Sequence, residues 1–576
     1  MSDNYGPQTE IGRTINALKH RAPDESYDDA CVRYARAVAD DEAHFRKILK
    51  YRRDMLLLPA GRQQLAVGRP HQITAFNCFV MGEIADDTAS IYDANKYAAL
   101  TMRMGGGVGM DFSTLRPLGD PIRGLGSGAF SSGPVSFMGI WNAMCETMMS
   151  AGSRRGAMMA TLRVDHPDIL RFVNAKRIEG ALKNFNISAW ITDSFMEALY
   201  ADGLYPLTFG GTKYGDARAV DVWARIMESN WDWAEPGVLF GDRINRLNPL
   251  YYCETIAATN PCAEEPLPPY GCCLLGSLNI VKALRQAHDT GKWEIDLHLL
   301  YDATECAVRA FDNVIDASIY PLPEQAEAER LTRRMGIGVT GMANALEIMG
   351  LPYGSAEYLD MQDEVLMTIR DAAYYASIGI AERKGSFPLF DADRYLAGEF
   401  AKTLPEDIKD RIRIKGLRNS HLLAIAPCGT ISLAADNVSS GIEPVFQLRG
   451  MRDVLTPDGK QSMMVRDYAL EMFGIEGRTA DQISPQEHID VLCRAQRWED
   501  TSISKTCNVN GQIGGQGPGI TFSQFKDLYL RAWEGGAKSC TTFNINGKRM
   551  GIMRPAADDE GAACVFDSAT GMRSCE

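Results

Sequence analysis

Between Thr259 and Ile280 the chain reads Thr-Asn-Pro-Cys-Ala-Glu-Glu-Pro-Leu-Pro-Pro-Tyr-Gly-Cys-Cys-Leu-Leu-Gly-Ser-Leu-Asn-Ile, and four prolines and two glycines in that span exclude a regular helix. The segment is expected to be an extended loop that presents its side chains, around which the rest of the chain must fold. Asn260, Cys262 and Glu264 stand at every second position. In extended backbone they would point to one side, which gathers an amide, a thiol and a carboxylate in one small volume. Two more thiols, Cys272 and Cys273, follow on the same segment.

The 14 cysteines make the redox setting the next question. Met1 to Pro7 has neither a basic nor an apolar signal region, and no run approaches the roughly 20 apolar residues of a membrane span. A soluble, cytoplasmic protein is expected, whose cysteines are not static disulfides. There is no Cys-x-x-Cys pair and no His/Cys cluster at zinc spacing, so no metal site is expected and reversible thiol chemistry is left open. A net charge of −14 argues against a nucleic-acid coat.

Residues 1–70 read as mainly helical. Tyr27 to Lys50 carries apolar residues at helical spacing. From Phe76 onward short β-rich runs alternate with glycine-rich turns and amphipathic helices, which predicts an α/β architecture. Ala160–Val164 and His421–Ala426 read as buried strands. Asp193–Tyr200, Tyr301–Asp316, Met361–Arg383 and Ser523–Trp533 read as helices. From about Pro555 the tail is small and polar, and is expected to be mobile. It nevertheless carries Cys564 and Cys575.

Gly336-Ile337-Gly338-Val339-Thr340-Gly341 is a literal G-x-G-x-x-G. A dinucleotide fingerprint needs a buried strand before it, and Glu329 to Met335 is mostly polar and cationic. Close backbone packing is the better reading of these glycines.

A thiol beside a carboxylate serves two chemistries. Nucleophilic thiol catalysis needs a histidine to make the thiolate, and the segment has none. Thiyl-radical chemistry needs a sulfur that stays neutral until oxidised, a base for the substrate's proton, and separate thiols to supply two electrons. The segment fits the second set of demands better.

Asn260-Pro261-Cys262-Ala263-Glu264, followed by Pro268-Pro269-Tyr270-Gly271 and by Cys273, Leu275-Gly276-Ser277 and Asn279, closely resembles the finger loop of ribonucleotide reductase large subunits. Leu58 to Arg62 and Phe76 to Met81 match the family's first redox-cysteine region. Gly105 to Arg123 and Ser153 to Ala157 match its glycine-rich and effector-loop regions, and Ala426 to Ser432 resembles its substrate-phosphate turn. The blocks run in family order from about residue 55 to 576.

The resemblance implies a ten-stranded α/β barrel of two five-stranded parallel halves, antiparallel to each other, with the finger loop at its centre. It implies Cys262 as the thiyl radical, Glu264 as acceptor of the 3′-hydroxyl proton and Asn260 as a hydrogen-bond partner of the sugar. Cys78 and Cys273 would be the dithiol that closes to a disulfide. Asn77 and the turn residues Pro427, Gly429, Thr430, Ile431 and Ser432 would bind substrate, with Cys428 as packing. Asp86 and Arg123 would bind a nucleotide effector, and Ser153 to Ala160 would relay it. Cys272 should point away from the site.

The radical source divides the family. No tyrosine occurs after Tyr529, and Cys540-Thr541-Thr542-Phe543 with Asn546-Gly547-Lys548-Arg549 resembles the adenosylcobalamin-dependent class II enzymes. The expectation is therefore a class II ribonucleotide reductase with adenosylcobalamin as cofactor. The alternative is a class I large subunit that needs a separate metal-containing radical-generating subunit. The expected domains are an N-terminal helical region over 1–70 without an ATP cone, a barrel over 71–554, and a redox tail over 555–576 with Cys564 and Cys575 as shuttle. Expected partners are a ribonucleotide (a diphosphate in most dimeric members), deoxynucleotide or ATP specificity effectors, a thioredoxin- or glutaredoxin-type reductant, and a second copy in a homodimer, with neither nucleic acid nor membrane. Readings from other classes are a nicotinamide-dependent oxidoreductase and a non-catalytic thiol-rich binding protein.

Overall fold

The computed structural model describes residues 5–70, 73–122, 128–148, 156–178, 180–456, 459–512 and 519–548, and the backbone of two short strands at 565–566 and 573–574. The N-terminal part is helical, over Glu10–Lys19, Tyr27–Val38, Glu42–Arg53 and Gly61–Ala66. The single amphipathic run expected from Tyr27 to Lys50 is two helices. Asp41 interrupts it, because its carboxylate accepts the backbone N–H of His44 at 2.7 Å and caps the second helix.

One ten-stranded sheet organises the rest. Its strands are β1 (Leu57–Pro59), β2 (Cys78–Val80), β3 (Gly107–Asp111), β4 (Met158–Arg163), β5 (Phe185–Ile191), β6 (Gly237–Phe240), β7 (Cys272–Asn279), β8 (Met335–Thr340), β9 (Thr506–Val509) and β10 (Ser539–Asn544). Strands β2 to β6 run parallel in chain order. Their nearly continuous apolar, buried sequences are those of a parallel sheet covered on both faces. Strand β7 is antiparallel to β2 and parallel to β8, whereas β10 is antiparallel to β6 and parallel to β9. Strand β1 pairs with the far half of β7. The helices read from the sequence extend over Asp193–Tyr200, Leu297–Ala317, Ala356–Lys384 and Phe522–Glu534.

The strand expected at 421–426 is reduced to two isolated parallel bridges, Ile337 with Leu423 and Ile425 with Ile503. The Asp500 carboxylate takes the N–H groups of Leu422 and Leu423, each at 2.9 Å, in place of strand carbonyls.

The Gly336–Gly341 motif is strand β8 itself, followed by the helix Met342–Ile348. A Cβ on Gly338 would stand 2.3 Å from the Ala424 carbonyl oxygen, and one on Gly336 would stand 2.6 Å from Glu265 Oε1. These glycines let neighbouring chain approach, as the polar lead-in suggested. No helix among the described residues is long and apolar enough to cross a membrane.

Candidate active site

The proline-rich segment forms a hairpin. Ala258–Thr259 pairs antiparallel with Pro266–Leu267, in the register Thr259 opposite Pro266. The tip closes by hydrogen bonds from Asn260 N–H to the Glu265 carbonyl (3.1 Å) and from Ala263 N–H to the Asn260 carbonyl (3.1 Å). Ala263 takes the left-handed backbone conformation at φ 69°. The expectation of one extended strand with alternate side chains on one side is therefore corrected. A turn, rather than a two-residue period, brings Asn260 and Glu264 to one sulfur, Cys78 Sγ, with Cys262 at its tip. Asn260 makes that turn possible, since its Oδ1 accepts the Glu265 N–H at 3.0 Å.

The hairpin is held by both parts of the sheet. Asn186 on β5 donates to the Pro261 carbonyl (2.7 Å), and Thr161 on β4 donates to the Ala257 carbonyl (2.8 Å). From the other side, Ser502 N–H reaches the Glu264 carbonyl at 3.1 Å. Strand β3 is glycine-rich for the same reason: a Cβ on Gly109 would lie 1.7 Å from the Thr259 carbonyl oxygen.

Beneath the tip lie the other two thiols. In the β2–β7 pairing Cys78 stands directly opposite Cys273. Directly opposed antiparallel residues have Cα atoms about 4.5–5.5 Å apart, within disulfide reach. Neither is joined in a disulfide here. Asn260 Nδ2 donates to Cys78 Sγ at 3.0 Å, and Cys78 Sγ donates to Glu264 Oε1 at 3.9 Å. The hairpin amide and carboxylate thus both meet the Cys78 sulfur.

The floor of the site is dry. Cys273 and Glu265 are fully buried, and Glu264 is 2% exposed. Burial, with Glu265 alongside, pushes the Cys273 thiol well above its ordinary range. Burial likewise drives Glu265 far above the usual carboxylate range, against the smaller pull of the Cys273 thiol. Burial thus disfavours the charged form of both groups. Cys272, one residue back, points the other way. Its Sγ donates to Glu329 Oε2 at 3.5 Å, on the helix Pro323–Thr332, and burial holds Glu329 up at about 8.

Sequence reasoning missed Glu265 and Arg334. Arg334 is buried and ion-paired with Glu254, and its charge acts on both Glu265 and Cys273. The doubled Glu264-Glu265 was the available signal.

The remaining expected residues fall into three groups. Asn77 adjoins the dithiol, and its Oδ1 is a buried acceptor that no donor among the described residues reaches. Pro427, Gly429 and Thr430 are exposed at the start of a short helix, Gly429–Ala434. Ile431 and Ser432 are buried behind them, and Cys428 packs on Ser277 with Sγ 3.0 Å from its hydroxyl. Asp86 is paired with Arg116 at 2.7 Å and also accepts the Arg116 N–H. Arg123, Ser153 to Arg155, Cys564 and Cys575 lie outside the described residues.

Comparison with known proteins agrees with this geometry. The family model described as ribonucleotide reductase, barrel domain, matches residues 76–476 and 477–543. The vitamin B12-dependent ribonucleoside-diphosphate reductase of Mycobacterium tuberculosis (strain CDC 1551 / Oshkosh) is 33% identical over 96% of this chain and 81% of its own length. The protein of that name from Thermoplasma acidophilum is 35% identical over 79% of this chain and 60% of its own. The ribonucleoside-diphosphate reductase large subunit of Vaccinia virus is 28% identical over 65% of this chain and 53% of its own. With the barrel-domain match running through the hairpin and both partner thiols, this chain belongs to the ribonucleotide reductase family.

Proposed function

We propose that this chain is a cobalamin-dependent ribonucleoside-diphosphate reductase that works through a thiyl radical on Cys262. The burial pattern of the hairpin carries this reading: from Ala258 to Leu267 every residue is buried except Cys262. A radical source can meet only the tip sulfur, while the dithiol and both glutamates sit beneath it, shielded from water. That single open thiol fits a cofactor lying over residues Pro261 to Ala263. Adenosylcobalamin, when bound, supplies a cobalt–carbon bond that homolyses. The greater similarity to the B12-dependent relatives than to the viral large subunit supports this source over a second, metal-containing subunit.

The chain's own residues then divide the work. Cys262 removes the 3′ hydrogen atom of the ribose, and Glu264 accepts the 3′-hydroxyl proton. The 2′-hydroxyl leaves as water with a proton from Cys78. The Cys78–Cys273 dithiol supplies two electrons and closes to a disulfide; one of its hydrogens leaves in the water and the other ends on C2′. Cys262 returns the hydrogen atom to C3′, and Glu264 gives its proton back to the 3′ oxygen. Asn260, already bonded to Cys78 Sγ, orients the sugar against that thiol.

The finer architecture belongs to the same reading. If the bridged runs at 421–426 and 503–509 count as strands, β2 to β6 form one parallel half. Strands β7 and β8, those two runs and β10 form the other, which would close a ten-stranded barrel. The helical region would span 1–70, the barrel 71–554 and a redox tail 555–576. Asn77 and the turn from Pro427 to Ser432 would take the substrate, and a helix N-terminus is a natural anion site. Asp86 and Arg123 would take a deoxynucleotide or ATP effector at a homodimer interface. Cys564 and Cys575 would pass electrons from a thioredoxin- or glutaredoxin-type reductant by thiol–disulfide exchange. Such an enzyme works in the reducing cytoplasm.

The test is direct. Protein, adenosylcobalamin and dithiothreitol are incubated with CDP or CTP, and deoxynucleotide is measured. Turnover that depends strictly on the cofactor, without a second subunit and lost in Cys262→Ala, is expected. Product without cobalamin, or from Cys262→Ala, overturns the reading.

A further inference from the structure

The site contains one acid more than the reaction on the sugar uses. Glu264 sits by Cys78 and is committed to the substrate's 3′-hydroxyl. Glu265 turns to the opposite side of the hairpin, where its carboxyl lies against Gly336 and Leu275, on the face of β7 that also carries Cys273. It is fully buried, and no hydrogen-bond donor among the described residues reaches either of its oxygens. Strand β8 makes room for it, since a side chain at Gly336 would collide with Oε1. An acid placed in such a pocket favours its protonated form, and Cys273 is the redox-candidate thiol on the strand face beside it.

Resting on the reading above, we propose that Glu265 is the general acid that returns a proton to Cys273 when the Cys78–Cys273 disulfide is reduced. Of the two sulfurs, Cys78 is the less enclosed, at 5% exposure against none for Cys273. The thiolate of an incoming dithiol forms a bond to Cys78 Sγ, the Cys78–Cys273 bond breaks, and its electron pair goes to Cys273 Sγ. The Glu265 O–H proton passes to that sulfur as it leaves. The reductant's second sulfur then displaces Cys78 and leaves oxidised. The two protons of the reductant dithiol balance the step, one reaching Cys78 and one restoring Glu265.

Without an acid, Cys273 would have to depart as a thiolate in a water-free pocket, where an unpaired charge is strongly disfavoured. The charged and titratable groups acting on this pocket are Glu264, Arg334, Glu499, Asp500 and Lys538. The buried Arg334 guanidinium steadies the transient Glu265 carboxylate, and Glu264 and Asp500 keep the acid protonated beforehand.

The experiment follows re-reduction itself. Wild-type, Glu265→Gln and Glu265→Asp proteins are oxidised at Cys78–Cys273 and mixed with dithiothreitol from pH 6 to 10. The free thiols are trapped by alkylation at timed intervals and assigned by mass spectrometry. Glu265→Gln should be slower by about 100-fold at neutral pH, the scale of a lost general acid. The ratio of wild-type to Glu265→Gln rates should shrink on the alkaline side, as wild-type Glu265 loses its proton. Glu265→Asp should restore that pH-dependent ratio in part. A wild-type rate in Glu265→Gln, or a slowing by one constant factor at every pH with no recovery in Glu265→Asp, overturns the proposal. Failure of the underlying reading looks different: the wild-type chain would form no deoxynucleotide in a single turnover, or would carry its new disulfide elsewhere.

Discussion

Cys272 and Cys273 are chain neighbours on one strand, both fully buried, each facing a buried glutamate. Cys273 lies opposite Cys78 across the β2–β7 pairing, whereas Cys272 lies opposite Phe79 and faces the helix Pro323–Thr332. Burial and an adjacent acid are common to both, so neither makes a thiol redox-active. Register does, by deciding which sulfur has a second sulfur within disulfide reach. Under the proposed function the same contrast separates the glutamates, with Glu265 on the side of the dithiol and Glu329 against the packed Cys272.

The sharpest way to break this comparison is to exchange the thiols for hydroxyls one at a time. Cys273→Ser should abolish dithiol-supported turnover, by about 1,000-fold or more, because no disulfide can form; rates of deoxynucleotide formation decide it. Asn260→Ala comes next. It removes the donor to Cys78 Sγ and the acceptor of the Glu265 N–H. We expect kcat to fall by about 10- to 100-fold, as misplacement of a reacting group does, together with about 1–3 kcal/mol of stability measured by urea titration.

Glu329 tests the other face through pH. Burial raises its folded-state value from 4.5 to about 8. The folded chain therefore holds this proton where the unfolded chain has released it, and stability falls as pH rises from about 4.5 to about 8. Glu329→Gln should remove that decline, raising stability at pH 8 by on the order of a few kcal/mol relative to pH 5. Thermal melts at the two pH values measure it. The smallest effect is expected for Cys272→Ser, whose turnover should stay within about twofold of wild type, since side chains outside the reaction path change rates little. Strong loss of turnover there would mean that register does not separate the two thiols.

Much of this was legible in the sequence. The prolines marked 259–280 as non-helical, and Asn260 and Cys273 from that segment meet Cys78 in the fold. The hairpin was missed because alternation assumes extended backbone, and a turn stabilised by Asn260's own side chain brings the same residues together by another route. The expected strand at 421–426 failed for a distant reason: the Asp500 carboxylate supplies the acceptors that strand pairing would have supplied. The helical spacing over 27–50 is carried by two helices, because Asp41 caps a new one. Glu265 stayed hidden because its partner, Cys273, lies on a different strand, and adjacent residues on a turn face opposite ways.

The central claim is that one surface-breaking sulfur and two paired ones share a single reaction. The most direct measurement is a single turnover of pre-reduced protein with adenosylcobalamin and CDP, quenched and mapped by differential alkylation. One deoxynucleotide formed per Cys78–Cys273 disulfide, with Cys262 recovered as a free thiol, is the predicted result. Deoxynucleotide formed while Cys78 and Cys273 both remain reduced would contradict it.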